Sequence, residues 1–528
     1  MTNTISQKHD HYRSLGCLDN LSIPDYFYQV VQAHGEKTAV ISGSQTYSFN
    51  KLWQQIKTTA SLLIENDIKS GDHLVLQMPN DEHFIITFLA VLSVGAIPVL
   101  MLPSHRQFEL EHFIRRSQAK AVILSSSIDG QNLTPMLNAI CASSTITLFS
   151  YGTYTGGINL SSTPEHIQPL PDIPADNMAF FLLSGGTTGL PKLIPRYHAE
   201  YIYNIHISAT NAELNESSKY LASLPMAHNF ALGCPGILGT LFNAGTVIIS
   251  KNGNAKDSFK AIEQYHISHC ALVPPLASLW ADSRAFISNN LSSLKVLQVG
   301  GSRVSHILAQ KLMEAFPGVL QQSYGMGEGL LCQTHRQDNM QTLLYTQGRP
   351  LSPYDDVRVV DASGQIISER PAKGELQVKG PYTITHYYSE AEYNQKAFTD
   401  DGFYATGDLA LMYDDGTLVI EGRINDVINR GGDKIGPDEL EDHLLKHPDI
   451  KEVSVVAIDD DVMGERVCAM VVSTEKLRLI DIKRYLKSCH IAEYKLPDKL
   501  IQLNKFPETH FGKTDRKQLR QLANSRSV

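Results

Sequence analysis

The feature that most restricts how this chain folds is a recurrence. Short apolar runs rich in β-branched residues return along it, at residues 73–77 (HLVLQ), 120–124 (KAVIL), 245–250 (GTVIIS), 269–273 (HCALV) and 294–299 (LKVLQV), with helix-patterned stretches between them. Behind Ser48, a residue type suited to cap a helix, Phe49, Leu52, Trp53, Ile56, Ala60 and Leu63 fall on one helical face. Strands of this kind alternating with helices predict a layered α/β fold with parallel sheets. At 528 residues the chain exceeds what a single core organises. Near residue 420 the pattern changes to a small α+β one. A turn at Asp414-Asp415-Gly416 and a strand over 417–421 lead into residues 422–426 (GRIND), and after these come a helix over 437–445, strands over 453–458 and 467–472, and a helix over 480–487. The predicted division is a large N-terminal domain, residues 1–423, and a small C-terminal domain, residues 424–528.

Residues 85–103 (IITFLAVLSVGAIPVLMLP) carry no charge, which is long enough to raise the question of a membrane span. Gly95 and Pro98 stop a helix where an extended run, residues 99–102, begins. A buried helix, a turn and a buried parallel strand account for the stretch, so no membrane is expected. The N-terminus lacks the apolar centre of a secretory signal. Lys and Arg number 46 against 55 Asp and Glu, a net charge of −9, which argues against a surface built for nucleic acid or anionic lipid. The seven cysteines include no CxxC pair, the usage of free thiols in a reducing cytoplasm.

The densest chemical signal is Leu183-Ser-Gly-Gly-Thr-Thr-Gly-Leu-Pro-Lys192. Ser184, Gly185, Gly186, Thr187, Thr188 and Gly189 offer backbone N–H groups and hydroxyls to phosphate oxygens at close approach, and Lys192 adds a point charge. It is not a Walker A loop, since Pro191 precedes the lysine and Leu193 follows it. The string resembles the phosphate-binding loop of the adenylate-forming superfamily, which includes acyl-CoA synthetases, peptide-synthetase adenylation domains and luciferases. Other stretches resemble further motifs of that superfamily, in the same order. Tyr324-Gly325-Met326-Gly327-Glu328 is similar to its adenine and magnesium motif, and Tyr404-Ala-Thr-Gly-Asp408 to its ribose motif. Residues 422–432 (GRINDVINRGG) resemble its hinge, and Gly512-Lys513 with Asp515-Arg516-Lys517 its catalytic-lysine motif.

The resemblance implies ATP and Mg2+ as cofactors. It also implies two half-reactions: a carboxylate and ATP give an acyl-adenylate and pyrophosphate, and the acyl group then passes to a thiol. By the same resemblance Glu328 helps hold Mg2+ and Asp408 accepts hydrogen bonds from the ribose hydroxyls, with Arg423 beside it. Tyr324 stacks on adenine, with Gly300, Gly301 and Ser302 letting the base approach backbone. Lys513 bridges carboxylate and α-phosphate in the first half-reaction only. Attack on phosphorus asks mainly for positioning and charge neutralisation, which suits these residue types. Asn425 matches the pivot, commonly Asp or Lys in the superfamily. A rotation there would withdraw Lys513 and bring the 430–434 loop to the thiol's tunnel.

Leu224-Pro-Met-Ala-His-Asn-Phe230, together with 189–196 (GLPKLIPR), resembles the aryl-acid ligases that begin catechol and phenolate siderophores. This implies that Asn229 donates its amide to the ortho hydroxyl of a benzoate, that Phe230 packs on the ring, and that His228 orients the carboxylate. Gly300, Met326 and Leu331 complete the expected acid pocket. Amino-acid-activating relatives place an Asp in this region to pair with the substrate's ammonium. A neutral Asn would leave such a charge buried and unpaired. At 234 the 2,3-dihydroxybenzoate ligases usually carry Ser and the salicylate ligases Cys. Cys234, a weak hydrogen-bonding group, tilts the expectation toward salicylate while leaving 2,3-dihydroxybenzoate open. The expected thiol is the phosphopantetheine arm of an aryl carrier protein acting in trans, since no carrier domain follows Lys517. A benzoate-type CoA ligase is the alternative. A catalytically silent scaffold would have no need of Lys192, Glu328, Asp408, Arg423 and Lys513 together.

Overall fold

The computed structural model describes residues 2–128, 131–133, 135–136, 138, 146–152, 156–184, 191–430, 433–460, 463–489, 491, 493–509 and 513–525. Two largely parallel sheets with the helices around them, joined by a smaller antiparallel sheet, form the large domain. Among the described residues one sheet has seven strands and runs, in spatial order, Leu193–Tyr197, Met178–Leu183, Ile97–Met101, His73–Gln77, Ala121–Ser125, Thr147–Tyr151 and Ile158–Asn159. All its pairings are parallel except that of the first two strands, which form a hairpin. The other has nine strands. Its parallel centre runs Leu320–Gly325, Val296–Gly300, His269–Leu272, Lys219–Ala222, Thr246–Ile249 and Thr38–Ser42, with antiparallel strands at both edges.

Side-chain alternation explains the layering. In the seven-stranded sheet Leu74, Leu76, Leu100 and Ile123 enter one core, which they share with Val40, Val247 and Ala271 of the nine-stranded sheet. Their neighbours Val75, Val99, Met101, Val122 and Leu124 pack on the opposite face. Helices Phe49–Glu65, Glu82–Ser93, His198–Asn211 and Gly236–Phe242 contribute to the shared core and so lie between the sheets. Ser48 caps the first of them by accepting from the Lys51 N–H, as the sequence predicts.

The uncharged 85–103 stretch is buried helix, then Gly95 at φ +79°, then strand. The strand begins at Ile97, two residues before the expected start, and so includes Pro98. Its pairing with Met178–Leu183 is recorded at Val99 alone, so the N–H that proline lacks falls where that ladder has scarcely begun. Among the described residues no helix is long and apolar enough to cross a membrane.

Two elements were not foreseen. A four-stranded antiparallel sheet (Asp356–Val360, Ala372–Lys379, Tyr404–Met412, Leu418–Arg423), of which only the last strand was expected, follows the parallel sheets, and its last two strands carry Asp408 and Arg423. A first helix, Thr2–Ser14, docks through Lys8, whose Nζ lies 3.2 Å from Glu200 and 2.6 Å from the Thr383 carbonyl. The C-terminal domain is separate, with its own sheet (Ile428–Arg430, Asp433–Ile435, Ile450–Asp460, Gly464–Ser473 and Lys499–Gln502). Its core is made of residues from 428 onward, Ile428, Leu440, Val455, Val467 and Leu486 among them.

Candidate active site

A cavity of about 400 Å³ opens where parallel strands of both large sheets end, the usual place for ligands in open α/β sheets. Leu100 and, just past the same strand, Leu102 reach it from one side, Leu182 and the following Ser184 from the end of another strand, and Ser323 and Gly325 from a third. Gly301, at φ +85°, follows the strand Val296–Gly300, and a side chain there would approach the Lys513 Cε to 3.8 Å. The C-terminal domain closes the cavity with Lys513.

At one end the short helix Asn229–Gly233 presents the acid-pocket residues. His228 caps it: the His228 Nδ1 accepts from the Phe230 N–H at 3.2 Å. Burial, with a smaller contribution from nearby Lys513, pushes the His228 imidazole down to about 3, so the ring is neutral with its proton on Nε2. The Asn229 Oδ1 accepts from the Tyr201 hydroxyl at 2.8 Å, and its Nδ2 faces the Cys234 Sγ at 3.5 Å. Cys234 is 2% exposed and also lies 3.9 Å from the Asn204 Nδ2. Burial pushes its thiol up to about 12, so it stays protonated. Phe230 and Leu331 supply apolar wall, and Met326 lines the same space.

At the other end the carboxylates are held by phenols. The Glu328 Oε1 accepts from the Tyr387 hydroxyl at 2.6 Å, and Tyr387 meets Tyr404 at 2.8 Å. Asp408 pairs with the Arg423 Nε at 2.8 Å through Oδ1 and accepts from the Tyr324 hydroxyl at 2.5 Å through Oδ2. Burial raises the Asp408 carboxyl, and Arg423 opposes that rise. Lys513 is held below the ordinary lysine range, first by burial and then by Arg423, with Asp408 and Glu328 opposing. The Lys192 ammonium sits 3.9 Å from the Tyr393 ring centroid.

Most of the sequence-predicted residues therefore converge. Ser184, Lys192, His228, Asn229, Phe230, Cys234, Gly301, Gly325, Met326, Glu328, Leu331, Arg423 and Lys513 all line one cavity. Tyr324 and Asp408 stand just behind this lining, bonded to each other. Gly300 and Ser302 do not line the cavity. A side chain at Gly300 would strike the Ser323 carbonyl at 2.4 Å, so its glycine serves strand packing. Ser302 is exposed. Gly185, Gly186, Thr187, Thr188, Gly189 and Gly512 lie outside the described residues, although the ends of the first loop are joined: the Lys192 N–H donates to the Ser184 Oγ at 2.8 Å. Asn425 lies in the short turn Ile424–Asp426 between the two domains' sheets. Of the expected 430–434 loop, Arg430 and Asp433 pair as neighbouring ends of the antiparallel strands Ile428–Arg430 and Asp433–Ile435, and residues 431 and 432 lie outside the described residues.

Sequence reading missed the residues that hold the site in place. Arg196 is fully buried. Its guanidinium meets Glu200 at 3.1 Å and donates to the carbonyls of Gly327 at 2.7 Å and Tyr382 at 3.1 Å, which fixes the loop before Glu328. Tyr201 and Asn204 were legible only as polar groups on the buried face of a helix, a weak signal. For Tyr387, 59 residues from Glu328, the sequence held none.

The fold, the cavity between two sheets and the covering domain define an AMP-binding enzyme, and the chain belongs to that family. The family model "AMP-binding enzyme" matches residues 27–388, and the model "AMP-binding enzyme C-terminal domain" matches residues 439–513. The chain is 42% identical to pyochelin synthase PchD of Pseudomonas aeruginosa, over 92% of this chain and 90% of that one. It is 37% identical to the 2,3-dihydroxybenzoate-AMP ligase of Bacillus subtilis (97% and 95% covered) and 37% identical to the salicyl-AMP ligase / salicyl-S-ArCP synthetase of Mycobacterium tuberculosis (90% and 85% covered). The apo structure of MbtA from Mycobacterium smegmatis superposes with a TM-score of 0.76 at 34% identity, covering 98% of this chain and 97% of that one.

Proposed function

We propose that this enzyme activates a 2-hydroxybenzoic acid, salicylate or 2,3-dihydroxybenzoate, as its aryl-adenylate. It then transfers the aryl group to the phosphopantetheine thiol of an aryl carrier protein in siderophore biosynthesis, in the cytoplasm. The observation that carries the reading is the acid end of the cavity, where a neutral amide, Asn229, stands beside Phe230, Leu331 and a protonated Cys234. Among the described residues an ammonium-bearing acid would meet no carboxylate there, whereas a planar ring with an ortho oxygen has both apolar wall and a donor. Similarity to a 2,3-dihydroxybenzoate-AMP ligase and to a salicyl-AMP ligase supports the same substrate class.

In this reading neutral His228 orients the carboxylate without adding a charge. Lys513 and Lys192 face the charge that develops as the carboxylate attacks the α-phosphorus of ATP and pyrophosphate leaves. Asp408 and Arg423 hold the ribose. Each Asp408 oxygen retains a second lone pair beyond its present partner, so ribose can bind without breaking the Arg423 and Tyr324 bonds. Glu328 has one oxygen committed to Tyr387, which leaves the other for Mg2+, an ion that needs few protein carboxylates when phosphates and water complete its shell. Bound there, Mg2+ neutralises phosphate charge. The C-terminal domain, from residue 424, turns about Asn425 between the half-reactions and takes Lys513 with it.

The test is aryl transfer followed by mass spectrometry, with ATP, Mg2+, salicylate and a phosphopantetheinylated aryl carrier protein. A carrier heavier by one salicyl group is the expected result. Repeated turnover with free coenzyme A and none on the carrier would replace this reading with a benzoate-type aryl-CoA ligase.

A further inference from the structure

We propose that Tyr201 is a positioning residue for substrate selection. It fixes the Asn229 carboxamide with its N–H groups toward the cavity, so that the pocket accepts an ortho substituent able to receive a hydrogen bond and rejects one that can only donate. The inference rests on the aryl-acid reading and concerns a residue that would not touch the acid.

The side chain of Tyr201 is held on several sides. It lies on the helix His198–Asn211, with Phe180 edge-on at 4.7 Å and the Arg196 guanidinium 5.0 Å from its ring centroid. Its hydroxyl is pressed against Gly233, where an added Cβ would come within 2.4 Å. Two further polar residues of this helix reach the same segment: the Asn204 Nδ2 donates to the Gly233 carbonyl at 2.7 Å, and the Ser208 Oγ lies 3.5 Å from it. The helix thus grips the 229–234 segment, and neither partner can shift to change the pairing.

An asparagine amide is free to present either its oxygen or its nitrogen until a neighbour decides. Tyr201 decides it. Among the described residues Asn229 is the one hydrogen-bond partner of the Tyr201 hydroxyl, at 2.8 Å. A buried phenol proton needs an acceptor, and only the amide oxygen can be that acceptor. The Asn229 Oδ1 is therefore turned toward Tyr201, which leaves Nδ2 as the edge of the amide on the Cys234 side. One of its hydrogens meets the Cys234 Sγ at 3.5 Å, which leaves the second for the cavity. Burial also holds the Tyr201 phenol well above its ordinary pKa, so the donor persists across the working pH range.

The chemical consequence is selective. In salicylate the phenolic proton bonds internally to the carboxylate, so the phenol oxygen offers its lone pairs outward to Asn229. In 2-aminobenzoate the nitrogen lone pair is delocalised into the ring, and the outward atom is an N–H. Two donors would then face each other, an arrangement with neither hydrogen bond satisfied.

The experiment compares kcat/KM for salicylate, benzoate and 2-aminobenzoate by pyrophosphate exchange in the native enzyme and in Tyr201→Phe. Removal of the hydroxyl frees the amide to flip. The salicylate to 2-aminobenzoate ratio should fall roughly tenfold, mainly through a higher KM for salicylate, while benzoate, which has no ortho group, changes little. An equal loss for all three acids, or an unchanged ratio, would overturn the proposal by reducing Tyr201 to a packing role. If Tyr201→Phe does not fold, the native enzyme still decides: activation of 2-aminobenzoate as efficiently as salicylate contradicts an amide fixed as donor. Failure of the native enzyme with all three acids would instead sink the aryl-acid reading on which the proposal rests.

Discussion

The two ends of the cavity are built by different means. The acid end is part of the main core: Tyr201, Arg196 and Cys234 are buried, and their hydrogen bonds run between elements packed on every side. The lid end is assembled across a boundary. Lys513 arrives on a separate domain, held in this position by the Arg303 guanidinium 2.8 Å from Asp442 and 4.0 Å from Asp438, with solvent nearby. Buried, over-determined contacts keep one geometry, whereas partly exposed ion pairs can break and re-form at small cost. On the function proposed above, the rigid end would select the acid and the movable one would serve the change between half-reactions.

The sharpest way to break that division is Lys513→Ala. Loss of the charge that faces the reacting phosphate should slow adenylate formation by roughly 10²–10³-fold. Transfer from preformed adenylate should change far less, and equal losses in both half-reactions would contradict a lysine used only once. The next test acts on the rigid end through pH. His198 begins the helix that carries Tyr201, and the His269 Nε2 meets the Ala212 carbonyl just past its other end at 2.8 Å. Burial lowers the first to about 3 and the second to about 4, against 6.5 in the unfolded chain. Below pH 6.5 the unfolded chain therefore binds more protons than the folded one, and stability is lost as pH falls. The slope is up to roughly 1.4 kcal/mol per pH unit for each ring, and it ends near pH 4 for His269 and pH 3 for His198. Denaturant unfolding of the native enzyme and of His269→Gln at pH 7, 6 and 5 would show it as a shallower pH dependence in the variant, and equal dependences would mean that His269 is not braced as described.

Smaller effects sharpen the contrast. Cys234→Ser replaces a weak hydrogen-bonding group with a hydroxyl at the rigid end. It should shift preference toward 2,3-dihydroxybenzoate by about 1 kcal/mol, roughly fivefold in the ratio of kcat/KM values, with no change in transfer. Arg303→Glu should do the opposite kind of thing. It weakens the contact that keeps Lys513 in the cavity, slows adenylation by roughly two- to fivefold and leaves acid preference untouched. A change in acid preference with Arg303→Glu, or in transfer with Cys234→Ser, would blur the two ends into one.

What the sequence made legible follows the same line. Strands buried on both faces announce themselves as apolar runs, so His73–Gln77 was placed to the residue and the layered fold followed from the alternation. Of the antiparallel sheet from 356 to 423 only the last strand, expected over 417–421, was seen: the strand Tyr404–Met412 alternates buried and half-buried residues around glycine and threonine, a faint pattern. Among the residues that line the cavity, those carried by dense local motifs stood out in the sequence, including Lys192, Glu328, Asn229 and Lys513. Those that act through a distant neighbour were not. Nothing near Tyr387 marks it as the partner of Glu328, and nothing near Arg196 says that its guanidinium will hold the Gly327 carbonyl 131 residues away. Chemistry concentrated in a loop can be read along the chain, whereas support that depends on folding brings its partners together only in space.

The central claim is that the rigid end of the cavity takes a 2-hydroxybenzoate. Carboxylate-dependent ATP–pyrophosphate exchange with salicylate, 2,3-dihydroxybenzoate, benzoate and a set of amino acids tests it most directly. Exchange led by either hydroxybenzoate is the predicted result, and their ratio measures the influence of Cys234. Exchange led by an amino acid, or by none of these acids, would contradict the account.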